Sequence, residues 1–195
     1  MNTIKRKIIF IGNSIVNGFP YKRSECFVSL FREATGHQVI NKGINGETSP
    51  QALDRFEKDV LLHKPDQVYF LGGTNDFIYN VCTPKETLDY CNKIVNLSQR
   101  NNIEPILMVP LMIDVEMAEK FWMSDVDYLS VSRKLTLLRD LMLSYGQENG
   151  VQIIDTQTFF RDLYTDEAKA LYLKDGLHPT ILGHKAIADF LLQAS

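Results

Sequence analysis

The amino-acid sequence predicts an α/β protein in which helices cover both faces of a five-stranded parallel sheet. Five short apolar runs, rich in β-branched and aromatic residues, alternate along the chain with segments of helical periodicity. Each run is almost continuously apolar, as expected of strands that are buried on both faces. No repeat, low-complexity tract or linker divides the 195 residues, so we expect one domain over residues 1–195.

The first strand ends at a tight turn that presents a serine. Residues 7–11 (Lys-Ile-Ile-Phe-Ile) form a short apolar run that stops at Gly12, and Ser14 follows directly. Apolar residues at helical spacing then predict a helix with Ser24 as its N-cap and Gly36 at its end. The other four strands are predicted at Val39–Ile40, Val68–Leu71, Ile106–Val109 and Val151–Ile154.

The remaining helices have clear sequence signals. Residues 83–86 (Thr-Pro-Lys-Glu) have the form of a capping box with proline at the first helical position. A long helix runs from Val131 to Tyr145 and stops by Gly150, and a last helix contains Ile187. With a helix between successive strands, the crossovers return every strand in the same direction.

Residues 111–127 have an irregular pattern and are rich in methionine and aromatic side chains. This stretch follows the fourth strand and therefore begins at the edge of the sheet where ligands bind in open α/β folds. We expect Met112 and Trp122 to form part of a substrate-binding wall or lid. The alternative is the ordinary packing of a helix against the body of the protein.

Composition excludes several classes of protein. A formal net charge of -3 and the lack of a basic block argue against a nucleic-acid partner. The basic residues at the N-terminus precede an apolar run that is too short for a signal peptide, and no apolar stretch is long enough to span a bilayer. Three cysteines without a C-x-x-C pair predict neither a disulfide framework nor a zinc site, so we expect a soluble protein of the reducing cytoplasm. Its oligomeric state is left open.

Three loops with functional side chains or glycines meet at one edge of the predicted sheet. Ser14 follows the first strand, Gly46 the second and Asn75 the third. Because the strands are parallel, the loops that follow them open on the same edge. Ser14 offers a hydroxyl and its own N–H, Gly46 an unhindered backbone N–H, and Asn75 a side-chain amide. Ordinary turn roles for the glycine and the asparagine are the alternative.

Near the end of the chain, residues 175–179 (Asp-Gly-Leu-His-Pro) carry the strongest local signal. A carboxylate three residues before a histidine can reach the imidazole Nδ1 and fix its tautomer, which leaves Nε2 free to act as a base. Asp175 and His178 would then supply what a serine nucleophile needs. A turn carboxylate beside a surface histidine is the alternative. His184 does not form a metal pair with His178, since the spacing is not one helical turn, and Cys82 has no nearby base.

Four ordered blocks of the sequence resemble those of the SGNH (GDSL-type) hydrolases, and they span nearly the whole chain. The resemblance implies a three-layer α/β/α flavodoxin-like fold and a cofactor-free hydrolase of small-molecule esters or thioesters. It implies Ser14 as the nucleophile, His178 as the base and Asp175 as its partner, with Gly46 and Asn75 joining the Ser14 N–H as oxyanion donors. The blocks are Gly12-Asn13-Ser14, the glycine of Ile44-Asn45-Gly46-Glu47-Thr48-Ser49, Gly73-Thr74-Asn75-Asp76 and Asp175-Gly176-Leu177-His178.

One position departs from the family pattern. Asn13 stands where the family usually has aspartate, so we expect its carbonyl to keep a hydrogen bond to nearby backbone while the charge beside Ser14 is lost. This departure suggests a second hypothesis, a non-catalytic carbohydrate- or lipid-binding member of the fold. A third, a mononucleotide- or flavin-binding protein, is opposed by the absence of both glycine-rich phosphate-binding motifs. Short-chain esters, sugar O-acetyl groups, thioesters and lysophospholipids all remain open as substrates.

Overall fold

The sheet consists of five parallel strands, as the sequence predicted. The computed structural model describes residues 5–165 and 168–194. The strands are β1 (Lys7–Gly12), β2 (Gln38–Gly43), β3 (Gln67–Leu71), β4 (Glu104–Met108) and β5 (Gln152–Ile154). They lie in the order β2-β1-β3-β4-β5, and every neighbouring pair is parallel. This is the strand order of the flavodoxin-like doubly wound fold.

Helices of very different length connect and flank the strands. They are α1 (Ser14–Asn17), α2 (Phe27–Thr35), α3 (Ser49–Asp54), α4 (Phe56–Asp59), α5 (Thr74–Ile78), α6 (Pro84–Arg100), α7 (Val115–Phe121), α8 (Tyr128–Asn149), α9 (Thr156–Leu163), α10 (Lys169–Tyr172) and α11 (Ile181–Ala194). The predicted capping box is present at the start of α6, where the Thr83 and Glu86 side chains satisfy each other's backbone N–H groups. Within the described ranges, no helix combines the length and apolar character that crossing a bilayer requires.

Alternate residues of the central strands enter two separate cores. Ile9 and Ile11 of β1 pack with buried residues of α3, α4, α6 and α8. Ile8 and Phe10 pack on the other face with buried residues of α2, α9 and α11. Since successive side chains of a strand point to opposite faces, each strand contributes to both cores. The result is the predicted three-layer α/β/α arrangement.

The predicted start of α2 was wrong. Ser24 does not cap this helix but lies in a 3-10 turn over Arg23–Glu25, and Cys26 is the N-cap. The Glu25 carboxylate accepts the Lys22 N–H at 3.2 Å, which closes the turn. The stretch with the irregular pattern contains one short helix, α7, which Asp114 caps by accepting the Met117 N–H at 2.8 Å.

The carboxyl ends of β1, β2 and β3 are level with one another. Gly12 is the register partner of both Gly43 in β2 and Leu71 in β3. Gly12 has a φ of 151°, and a Cβ atom at this position would lie only 2.0 Å from the Leu71 carbonyl oxygen. Glycine is therefore required for the close approach that places Ser14 just beyond the sheet edge.

All three cysteines are buried and unpaired. Burial raises the pKa of Cys82 to about 11, and the negative charges of Asp76 and Glu86 add to the effect. The Cys82 thiol is thus protonated at neutral pH and is a poor nucleophile.

Candidate active site

Ser14 is the first residue of α1 and lies at the sheet edge with a side chain turned toward a small cavity. The residue before it, Asn13, is buried, and its Oδ1 accepts the N–H of Ile15 at 3.0 Å. This confirms that asparagine at position 13 keeps a hydrogen bond to nearby backbone. An Asx cap of this kind fixes the turn that carries Ser14.

Ser14, His178 and Asp175 form one chain of hydrogen bonds across 164 residues of sequence. The Ser14 Oγ lies 3.0 Å from His178 Nε2, and His178 Nδ1 lies 2.9 Å from Asp175 Oδ2. Because a carboxylate only accepts, Nδ1 carries the proton and donates it, and Nε2 is left to accept from the serine hydroxyl. The arrangement can withdraw a proton from Ser14.

The carboxylate of Asp175 is held at both oxygens. Oδ1 accepts the N–H groups of Leu177 at 3.0 Å and of His178 at 2.8 Å, while Oδ2 faces the imidazole. Burial raises the pKa of Asp175, but the hydrogen bond and charge of His178, together with the two backbone N–H groups, lower this pKa by more. The net pKa lies below the ordinary value, so Asp175 stays ionised at neutral pH.

The turn that carries the pair is packed against α7. The Gly176 carbonyl accepts the Asp114 N–H at 2.9 Å, and the Lys174 N–H donates to the His178 carbonyl at 2.8 Å. Gly176 has a φ of 84°, and a Cβ atom there would lie 2.5 Å from the Ala118 backbone nitrogen. The segment after β4 therefore supports the histidine as well as bordering the site.

Gly46 and Asn75 face the same cavity from the loops that follow β2 and β3. Gly46 has a φ of 74°, and the Asn75 amide donates one N–H to the Glu47 carbonyl at 2.9 Å. With the Ser14 N–H, these groups are the backbone and amide donors that could meet a negatively charged oxygen near the serine. The structure thus brings six of the seven predicted site residues together: Met112 alone lies apart, and Trp122 joins the three hydrogen-bonded residues and the two loop donors.

The cavity at Ser14 is small, about 90 Å³. Its walls include Trp122 but not Met112, which is half-buried between the buried residues Leu111 and Ile113. Larger grooves of about 490 and 580 Å³ lie on helix surfaces, but no histidine is among the described residues that line them. The lining residues at the small cavity are Ser14, Phe19, Asn45, Gly46, Asn75, Tyr79, Trp122, Leu177 and His178.

Comparison with known protein families shows which family the chain belongs to. The model of the GDSL-like lipase/acylhydrolase family matches residues 10–186, which include every member of the hydrogen-bonded chain from Ser14 to His178. The protein belongs to this family. The assignment places it among enzymes that act on ester bonds.

Two characterised relatives have a similar sequence over most of the chain. Identity to the acetylxylan esterase of Geobacillus stearothermophilus is 26% over 160 residues, covering 81% of this chain and 72% of that protein. Identity to the isoamyl acetate-hydrolysing esterase of Saccharomyces cerevisiae is 27% over 164 residues, covering 80% of this chain and 67% of the yeast protein.

Solved structures of the family share the fold. A member of the lipolytic G-D-S-L family from Veillonella parvula superposes with a TM-score of 0.80 at 19% identity, covering 96% of both chains. A GDSL-like lipase from Bacteroides thetaiotaomicron gives a TM-score of 0.78 at 25% identity, covering 97% of this chain and 87% of that one. These likenesses confirm the predicted α/β architecture.

In this GDSL-like chain the imidazole of His178 packs against two aromatic rings, which also contact each other with centroids 5.9 Å apart. The Trp122 and Phe19 ring centroids are 4.7 and 4.9 Å from that of His178, and both contacts are edge-on. Sequence reasoning selected Trp122 but missed Phe19 and Tyr79, which also lines the cavity. Phe19 follows the Ser14 turn by only five residues, so its nearness in sequence was the available signal.

A second histidine of this chain, His184, is fully buried beside the candidate site. Its ring stacks on Phe27 with centroids 6.1 Å apart, and neither ring nitrogen has a hydrogen-bond partner among the described residues. Burial lowers the pKa of His184 to about 4, and the charge of His178 contributes. Because the unfolded chain binds this proton near pH 6.5, His184 destabilises the fold progressively as the pH falls from about 6.5 to 4.

We expect the free energy of unfolding to lose about 2 kcal/mol between pH 7 and pH 5 through His184 alone. His184→Leu should remove this part of the pH dependence, because leucine takes up no proton in either state. Urea unfolding at the two pH values measures the effect, with His63→Leu as a control at a half-buried site. Equal pH dependence in the His184→Leu variant and the parent would contradict the assignment.

Proposed function

We propose that this chain is a serine esterase that works through an acyl-enzyme. Ser14 Oγ attacks the ester carbonyl while His178 Nε2 takes its proton, and Asp175 holds the imidazole in the required tautomer. The oxyanion of the tetrahedral intermediate is bound by the N–H groups of Ser14 and Gly46 and the amide of Asn75. The observation that carries the proposal is the continuous chain of hydrogen bonds, 3.0 and 2.9 Å long, that ends at a cavity with three further donors.

Three further proton transfers complete the cycle. When the intermediate collapses, the carbon–oxygen bond to the alcohol breaks, and the alcohol leaves with the proton held by His178. Water then gives a proton to His178 and attacks the acyl-enzyme. The second intermediate expels Ser14 Oγ, which recovers that proton, and the carboxylic acid departs. No group outside the chain and the two substrates is needed for this balance.

The size of the cavity favours a short acyl group. At about 90 Å³ the cavity is several times smaller than the grooves of about 490 and 580 Å³ on the helix surfaces, so it suits an acyl group of a few heavy atoms. Both characterised relatives described above are named for acetyl esters. We therefore propose acetyl esters as the preferred substrates, which leaves the alcohol open.

Labelling with an organophosphonate tests the mechanism directly. The reagent should phosphonylate Ser14 with one equivalent, visible as a single mass addition that maps to the peptide containing residues 13–17. Ser24→Ala retains the nucleophile and should label at the parental rate, whereas Ser14→Ala should not label. A folded parent protein that stays unlabelled would contradict the proposal and favour the non-catalytic carbohydrate- or lipid-binding alternative raised by Asn13.

Trp122→Ala should shift the preference toward longer acyl chains. Removing the indole from the cavity wall leaves room for two further methylene groups, whose burial contributes about 1.6 kcal/mol, so the ratio of kcat/KM for butyryl over acetyl ester should rise about tenfold. The measurement is initial rates on p-nitrophenyl acetate and butyrate. Phe121→Ala, at an exposed neighbour outside the cavity, is the control and should leave the ratio unchanged.

The other expectations for the chain stay predictions. They are a cytoplasmic location, the absence of a nucleic-acid partner, action without a metal or cofactor, and a single domain over residues 1–195.

A further inference from the structure

A partly buried guanidinium joins the end of β2 to the loop that follows it. Arg55 donates through Nη2 to the carbonyl of Lys42, the penultimate residue of β2, at 2.7 Å, and through Nε and Nη2 to the two carboxylate oxygens of Glu47 in the loop. The side chains of Arg55 and Glu47 are 15% and 4% exposed. Asp59 completes the support by accepting from Arg55 Nη1 and Lys42 Nζ, each at 2.9 Å.

The loop held in this way carries one of the proposed oxyanion donors and orients a second. Gly46, which lines the cavity, immediately precedes Glu47. The backbone carbonyl of Glu47 accepts one N–H of the Asn75 amide at 2.9 Å, which orients the side chain that lines the same cavity. The backbone of residues 46 and 47 therefore sets the position of one donor and the orientation of another.

We propose that the Glu47–Arg55 ion pair is a positioning device for the oxyanion site, which fixes the Gly46 N–H and the Asn75 amide together. The inference rests on the proposed function, because it assumes that these donors meet a developing oxyanion. Neither Glu47 nor Arg55 lines the cavity, so neither contacts the reacting atoms. Their effect reaches catalysis only through the geometry of the loop, where a misplacement of about 1 Å is enough to reduce turnover about a hundredfold.

Arg55→Lys keeps a positive charge but loses the planar fork that reaches the Glu47 carboxylate and the Lys42 carbonyl at once. We expect kcat on p-nitrophenyl acetate to fall about tenfold to a hundredfold while KM changes less than about twofold, because substrate binding precedes the development of oxyanion charge. Glu47→Gln keeps the size of the side chain and removes its charge, and it should give the same kcat-specific loss. It serves as the second variant should Arg55→Lys fail to fold.

A double-mutant cycle with Asn75→Ala separates positioning from general stability. Asn75→Ala alone should reduce kcat about 100- to 1000-fold. In that background Arg55→Lys should cost at least about fivefold less than it does in the parent, because the Glu47 carbonyl has no amide left to orient. A merely structural role for the ion pair would reduce activity by the same factor in both backgrounds.

Arg139→Lys is the matched control. Arg139 is also partly buried and forms ion pairs with Asp140 and Asp155, but it lies outside the cavity. It should leave kcat within about twofold of the parent after correction for the folded fraction. Equal losses in Arg55→Lys and Arg139→Lys, an effect confined to KM, or additivity in the cycle would each overturn the inference. Asn75→Ala with full activity would instead count against the oxyanion assignment of the proposed function.

Discussion

Ser14→Ala is expected to lower kcat for acetyl ester hydrolysis by about a millionfold. The variant loses the oxygen that attacks the carbonyl, so the remaining groups can only assist direct attack by water. KM should change little because the cavity walls and the three donors remain. Residual turnover should still exceed the uncatalysed reaction by about a thousandfold, through stabilisation of the oxyanion alone.

Steady-state rates on p-nitrophenyl acetate, with the folded fraction checked by circular dichroism, measure the loss. Ser24→Ala is the control, since Ser24 is exposed in the 3-10 turn before α2. Retention of more than about one part in a thousand of the parental kcat by the Ser14 variant would show that another group attacks the ester.

Asp175→Asn is expected to reduce kcat by about ten-thousandfold while leaving the fold intact. The reason lies in the two sides of the carboxylate. Oδ1 accepts the backbone N–H groups of Leu177 and His178, so the asparagine carbonyl oxygen takes that side and the amide nitrogen faces His178 Nδ1. An amide that donates to Nδ1 forces the imidazole proton onto Nε2. That nitrogen then has no lone pair to accept the proton of Ser14.

The Asp175→Asn effect should appear in kcat with KM nearly constant, and phosphonylation of Ser14 should slow in parallel. Asp162→Asn is a control at a largely exposed carboxylate. If the Asp175 variant kept activity within tenfold of the parent, the carboxylate would not set the tautomer, and its role would be limited to holding the turn.

Much of the fold could be predicted because buried parallel strands appear in the sequence as short, continuous apolar runs. The five strands were found from apolar runs such as Val68–Leu71, which is buried throughout. The start of α2 was not, because its N-cap residue, Cys26, makes no side-chain capping hydrogen bond and so leaves no capping signal in the sequence. Ser24 lies instead in a 3-10 turn, which the hydrogen bond from the Lys22 N–H to the Glu25 carboxylate closes. Whether this turn forms depends on the tertiary structure and cannot be predicted from the local sequence.

The candidate site, too, could be predicted from the sequence only in part. Strand order explains why Ser14, Gly46 and Asn75 meet, since each follows one of three neighbouring strands. The support of the site was not foreseen: the Arg55 guanidinium reaches Lys42 and Glu47 across a loop, and no periodicity relates positions eight and thirteen residues apart. Met112 and Trp122 were both predicted from a stretch rich in methionine and aromatic residues, but only Trp122 borders the cavity. Residue composition does not indicate where each side chain points.

The two aromatic rings packed against His178 also limit how solvent reaches its proton. The imidazole is 2% exposed, with Trp122 and Phe19 against its ring, Asp175 at Nδ1 and Ser14 at Nε2. Bulk water and buffer therefore reach Nε2 through the small cavity in which the proposed substrate would bind. In the proposed cycle, the proton taken from Ser14 is shielded from buffer while the substrate is bound and leaves with the departing alcohol. In that cycle, the His178 imidazole exchanges protons with solvent only while no ester is bound in the cavity.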